Sequence, residues 1–167
     1  DAHGHVAGYG AALASVDLTG SDSEEEATQR VARFIDTHSS DGWIEGRGWN
    51  QVLWPSKSFP SAQSLDAVES ERAVALSRVD GHALWVNTAA LRAAGIDDNT
   101  PDPEGGQILR DNRGRATGVL IDNAMDLVYD AMGQRSVAQL EDDIARGLHA
   151  AAATGMTAVH DAGVSAR

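Results

Sequence analysis

The sequence predicts an α/β chain in which pieces of a parallel β/α barrel flank a large α+β insertion. One observation behind this is the opening Asp1-Ala2-His3-Gly4-His5. Histidines at i and i+2 on an extended segment lie on the same side, because side chains alternate across a strand. A second is at the other end. Ser136-x-x-Gln139 has capping-box spacing, Val137, Leu140, Ile144, Leu148 and Ala151 form one apolar stripe, and Gly155 leads into the β run Met156–His160. A long helix delivering directly into a strand is the αβ half of a parallel repeat. The third is the intervening stretch, whose turn and hairpin signals mark a separate folded piece. In a (β/α)8 barrel, catalytic groups sit at C-terminal strand ends, which is where His3 and His5 fall. Such a barrel needs roughly 250 residues. The 167 present give only a partial TIM barrel: a strand end and loop at 1–10, an insertion at 11–135, and a barrel helix and second strand at 136–167.

Each element has its own local reason. Residues 6–20 are small and apolar and read as a loop with a short helix. Ser23-Glu24-Glu25-Glu26 has capping-box spacing with acidic residues suited to a helix N-terminus, and Ala27, Val31, Phe34 and Ile35 recur at helical spacing, so 24–38 is a helix. Residues 42–49 alternate glycine with large side chains and suit a strand with a tight loop. Pro55 and Pro60 bracket a loop, and 64–68 reads as a short helix. Residues 73–77 form a buried strand ending at the turn Asp80-Gly81. The stretch 83–94 is predicted helical, with Gly95 ending it. Residues 107–110 and 115–121 flank Asp111-Asn112-Arg113-Gly114 as a hairpin, and a short helix follows at 122–132.

Composition narrows the function. The net charge of −12 disfavours nucleic acid and anionic membranes, and Lys57 is the only lysine. The absence of cysteine removes disulfides, thiolate nucleophiles and Cys-based zinc sites, so any metal must take His or carboxylate ligands. No apolar run approaches the roughly 20 residues of a membrane span, and no leader is visible, so a cytoplasmic location is expected. No phosphate-cradling glycine pattern occurs. Two imidazoles on one side can hold one divalent ion at roughly 2.0–2.1 Å, yet zinc wants three or four protein ligands. The open alternative for His3 and His5 is a solvated pair.

Five stretches together carry a resemblance: DAHGH at 1–5, GRGWNQVLW at 46–54, RVDGHALWVNTAAL at 78–91, TPDPEGGQILRDNRGRATGVLIDNA at 100–124 and GMTAVHDAG at 155–163. They cover essentially the whole chain. With them the chain resembles the amidohydrolase superfamily, and within it amidohydrolase family 3, the N-substituted formamide deformylase-like group. The resemblance implies a metal-dependent hydrolase of non-peptide, amide-like C–N bonds, acting on a small molecule. It implies His3 and His5 as the first two metal ligands, with zinc as the expected ion. The family's other ligands, and an aspartate general acid/base, come from later barrel strands, so no catalytic residue is assigned here and the isolated chain is expected to be inactive. Two other readings stay open: a non-catalytic binding or interaction module, and a deaminase or cyclic-amide hydrolase of the same superfamily. The sequence leaves the oligomeric state undetermined.

Four residues are candidates for substrate binding. His82 lies in Asp80-Gly81-His82 and offers a hydrogen-bond donor to a substrate, against a helix-capping or packed role. Asn87 offers an amide to a substrate carbonyl, and Trp85 follows the same segment, with core packing as its alternative. Asp122 ends the hairpin strand, with capping of the next helix as its alternative. Asp1 offers support to the ligands, and His160 and Asp161 offer it from the end of the second barrel strand. Trp49 and Trp54 read as core, and His38 and His149 as structural or solvated.

Overall fold

The computed structural model describes residues 3–38 and 42–163. It divides into two compact units, one drawn from residues 16–133 and one from the two ends, within 1–15 and 134–167.

The 16–133 unit is built on a mixed six-stranded sheet in the order β1-β2-β3-β4-β6-β5. Its strands are β1 (Val16–Asp17), β2 (Ile44–Trp49), β3 (Val74–Arg78), β4 (Ala83–Val86), β5 (Gly106–Arg110) and β6 (Ala116–Asp122). β1, β2 and β3 run parallel, and β4, β6 and β5 add antiparallel pairings beyond them. α2 (Glu24–Thr37) and α3 (Ala62–Asp66) make the parallel crossovers, while α4 (Thr88–Ala93) and α5 (Asp126–Met132) follow β4 and β6. α2 starts where its cap predicts: Ser23 Oγ accepts the Glu26 N–H at 3.1 Å. The reciprocal bond slips by one residue, because Glu26 accepts from the Asp22 N–H at 2.7 Å rather than from Ser23.

Period-2 alternation divides the core between the two faces of this sheet. Val74, Leu76, Ala83, Trp85 and Val119 pack with Val31, Trp49, Trp54 and Leu65. Ala75, Leu84, Val86 and Leu120 pack with Leu91, Ile96, Ile108 and Val128. Burying each large apolar side chain is worth about 1.5–3 kcal/mol relative to exposure. Trp49, Trp54 and Trp85 pack with ring centroids 6.2–6.3 Å apart. Each indole N–H finds a carbonyl, of Leu76, Ser21 and Ser61 respectively, as a buried indole requires. At Gly48, φ is +102° and a Cβ would stand 2.6 Å from Thr19 Oγ1. This residue permits the register shift between Arg47 and Trp49.

One predicted element is corrected here. Residues 83–94 are not one helix: Ala83–Val86 is a fully buried strand, and the helix begins only at Thr88. A short continuous apolar run has no periodicity to separate a buried strand from a helix. The deciding residue is Asn87, whose Oδ1 caps α4 by accepting the Ala90 N–H at 2.9 Å.

In the unit formed by the ends, α1 (Val6–Leu13) packs on α6 (Val137–Ala153). α6 begins with the complete predicted capping box: Ser136 Oγ accepts from Gln139 N at 3.3 Å, and Gln139 Oε1 from Ser136 N at 2.8 Å. The helices meet at glycines. A Cβ on Gly10 would stand 1.7 Å from the Asp143 carbonyl oxygen, and one on Gly147 would stand 2.4 Å from that of Val6. Asp143, only 3 % exposed, accepts from Arg135 at 3.1 Å and Arg146 at 2.8 Å, and Arg146 also reaches the Gly10 carbonyl at 3.0 Å. The face of α6 that packs on α1 is thus the Asp143–Gly147 face. The predicted apolar stripe is exposed at Val137, Leu140, Ile144 and Leu148.

The predicted strand at 156–160 is also corrected. The segment makes no ladder; its neighbour Asp161 forms one isolated parallel bridge with Gly4. A ladder needs a run of paired residues, and the paired segment continues on the other side into α1 directly after His5. No described helix is long and apolar enough to cross a membrane.

Candidate functional site

The two histidines of the opening motif sit at the parallel bridge. The Gly4 N–H donates to the His160 carbonyl at 2.8 Å, and the Ala162 N–H donates to the Gly4 carbonyl at 2.9 Å. His3 and His5 flank Gly4, both exposed, with ring centroids 5.1 Å apart and planes at 82°. The i, i+2 spacing has therefore brought two imidazoles to one place. Asp1 lies outside the described residues.

Asp161 locks this arrangement. His5 is the N-cap residue of α1, but its side chain makes no capping bond. Asp161 does that work from across the bridge: Oδ2 accepts the Val6 N–H at 2.9 Å and Oδ1 the Gly163 N–H at 2.7 Å. The Gly163 and Val6 N–H bonds, with the nearby His5, hold its carboxyl below the usual carboxylate range. A Cβ on Gly163 would stand 2.6 Å from His5 Nδ1, so glycine leaves the imidazole its room. His160 contributes its backbone carbonyl, and its side chain is exposed. A groove of about 840 Å³ runs beside His5 and Asp161, walled by Val6, Leu140, Ile144 and Leu148.

Imidazole nitrogen suits a divalent transition-metal ion, and the two rings are close enough for one ion to join them. They provide two of the three or four protein ligands such an ion takes. Among the described residues no group of three or more His, Cys, Asp or Glu side chains is placed to hold a metal. The donor set fits part of a site.

The other candidates lie in the 16–133 unit, and the structure gives them different work. Trp85 is fully buried in the tryptophan cluster. Asn87 is fully buried too, and its amide is spent inside the protein. Oδ1 accepts from Val74 N at 3.0 Å and Ala90 N at 2.9 Å, and Nδ2 donates to the Glu69 and Arg72 carbonyls at 2.8 Å each. That exhausts an amide's donors and acceptor lone pairs, so Asn87 has none left for a substrate.

His82 and Asp122 are brought together from 40 residues apart, at the start of β4 and the end of β6: His82 Nδ1 lies 2.8 Å from Asp122 Oδ1. Both are exposed. Asp122 sits at φ +47°, ψ −125°, and its side chain makes no capping bond to the turn it precedes. A non-glycine residue held in so sparsely populated a region costs of order 1–3 kcal/mol. An exposed side-chain contact of this kind returns about 0–1 kcal/mol. On those magnitudes the pair is a net cost to the fold.

The model of the amidohydrolase family matches residues 1–167. The chain belongs to that family. Proteins similar to it include YtcJ of Bacillus subtilis, named as an amidohydrolase, 33 % identical over 99 % of this chain and 31 % of YtcJ. N-substituted formamide deformylase of Arthrobacter pascens is 31 % identical over 100 % of this chain and 32 % of its own. The chain spans about a third of the length of these relatives. A metal-dependent hydrolase of Pyrococcus horikoshii superposes with a TM-score of 0.69 over 95 % of this chain and 29 % of its own, at 24 % identity. The amidohydrolase chain therefore shares the fold of the matching part of that neighbour. The residue that sequence reasoning undervalued is Asp161: its position was visible in GMTAVHDAG, but its capping of a helix near the other end of the chain was not.

Proposed function

We propose that this chain is one part of a metal-dependent hydrolase of non-peptide, amide-like C–N bonds, in which His3 and His5 supply two ligands to a divalent ion, zinc by preference. The observation that carries this reading is the imidazole pair, rings 5.1 Å apart on one segment, in a chain of the amidohydrolase family. The deformylase among its relatives supports the C–N bond class. Bound there, such an ion activates water and polarises a carbonyl or formyl group.

The chain's own residues prepare that position. The bridge at Gly4 fixes the backbone between the two imidazoles. Asp161 ties the first N–H of α1 to the 161–163 segment, which holds His5 at the helix start. Gly163 leaves open the space His5 Nδ1 occupies. The groove beside His5 is walled largely by apolar side chains and suits a small neutral substrate better than an anion.

The test is hydrolysis of a simple alkyl formamide by the whole protein that contains this chain, assayed as purified, after chelation, and after zinc is restored. Activity is expected to vanish on chelation and return with zinc. Full activity in the chelated protein would overturn the reading. The isolated 167-residue chain is expected to show no turnover even with zinc, because its described residues bring only two imidazoles together for an ion.

A further inference from the structure

α1 has little of its own to hold it. It runs for eight residues, two of them glycine, and a helix that short is marginal without packing partners. Glycine in its interior weakens it further. It has no acidic residue in its first turn, no basic residue in its last, and no side-chain cap from His5. Yet His5 is joined to it directly, because the His5 carbonyl accepts the Tyr9 N–H at 2.8 Å. Whatever holds α1 therefore holds the backbone that carries this imidazole.

Charged side chains distant in sequence supply what the helix lacks. At its start, Asp161 accepts the Val6 N–H at 2.9 Å. At its last turn, Arg146 Nη1 donates to the Gly10 carbonyl at 3.0 Å, one of the carbonyls a helix leaves without a partner at its C-terminal end. The Ala14 N–H, which helical geometry would offer to Gly10, goes to Ala11 at 3.1 Å instead. An anion at the first turn and a cation at the last both complement the helix dipole. Arg146 is itself fixed: the same Nη1 donates to Asp143 Oδ1 at 2.8 Å, and buried Asp143 also holds Arg135. Between these two holds the helices touch at Gly10 and Gly147, where no Cβ fits.

We infer that Arg146 is a positioning residue for the metal site: by holding α1 against α6 it fixes where His5 presents its imidazole. That role rests on His5 being a metal ligand; the hold on α1 does not. Both bonds of Arg146 leave from one nitrogen, so a lysine ammonium with its three donors can replace them, whereas alanine cannot. In either variant Asp143 keeps Arg135, so the buried carboxylate is not left without a cation.

The experiment measures zinc affinity of the whole protein by competition with a chromophoric chelator, well below the unfolding temperature. Amide hydrogen exchange over residues 6–13 is followed in the zinc-free protein. Arg146→Ala is expected to speed exchange across α1 and to weaken zinc binding about tenfold, the lower end of what residues behind a metal ligand contribute. Arg146→Lys should bring zinc affinity back to within about threefold of the wild type. His149→Ala, exposed on α6, should leave exchange and affinity unchanged. An arginine that served the fold alone would lower the melting temperature and leave zinc affinity where it was. The role is overturned by wild-type zinc affinity in Arg146→Ala, by unaltered α1 exchange in that variant, or by a lysine variant as weak as the alanine one. His5→Ala separates the two levels. Wild-type zinc affinity in His5→Ala would remove His5 as a ligand and the positioning role with it. A weakened His5→Ala beside an unchanged Arg146→Ala would overturn the positioning role alone.

Discussion

Asn87 spends its whole amide on its own fold, joining β3, α4 and the Glu69–Arg72 turn through bonds of 2.8–3.0 Å. Nothing in the string Trp85-Val86-Asn87-Thr88 announces burial, since an asparagine before a helix is equally common as an exposed cap. Truncation leaves several buried groups unsatisfied, at about 1–3 kcal/mol each. Asn87→Ala is therefore expected to cost about 3 kcal/mol or more in urea unfolding. Asp122 predicts the opposite sign. Asp122→Gly relieves the strained φ, partly offset by the greater freedom of glycine in the unfolded chain, and should stabilise by about 1 kcal/mol in thermal melts. At this scale the histidine pair was legible because i, i+2 spacing dictates geometry. The His82–Asp122 pair was not, because its members are neighbours only after β4 and β6 align.

The elements that were legible carry local signatures. The capping box of α6 and the acidic start of α2 appear where their residues place them. So does the β5–β6 hairpin, where Asp111 accepts N–H bonds from Arg113 and Arg115. Those bonds, led by the Arg115 N–H, lower its carboxyl to about 2. A lowered carboxylate contributes stability that is present above its ordinary value of 3.8 and lost as pH falls through about 2. Acid titration followed by amide exchange should therefore show the hairpin turn opening within that window, and Asp111→Asn should remove the dependence. What stayed illegible was set by packing partners. The strand Ala83–Val86 exists because β3 and β6 bracket it. α6 turns its Asp143–Gly147 face to α1 because two glycines let the backbones touch. Gly147→Ala should separate them and cost about 1–3 kcal/mol, the usual range for overpacking, measured on the helices' hydrogen exchange.

For the molecule as a whole, the division into a 16–133 unit and a unit made of both ends follows from where apolar residues alternate and where they do not. The sheet unit encloses two core clusters, one on each face. The unit of the ends leaves the α6 stripe exposed and lines a groove with it beside His5. The lack of cysteine leaves His and carboxylate side chains as the candidates for holding a metal. In the proposed enzyme His3 and His5 hold the metal. The most direct measurement is bound zinc per chain, by elemental analysis of the whole protein, in the wild type, His3→Ala and His5→Ala, with Asp122→Gly as a folding control. Each histidine substitution is expected to lower zinc occupancy at least about tenfold at limiting metal, the scale on which even supporting residues tune affinity, while the control keeps it. Wild-type zinc content in both histidine variants would contradict the claim.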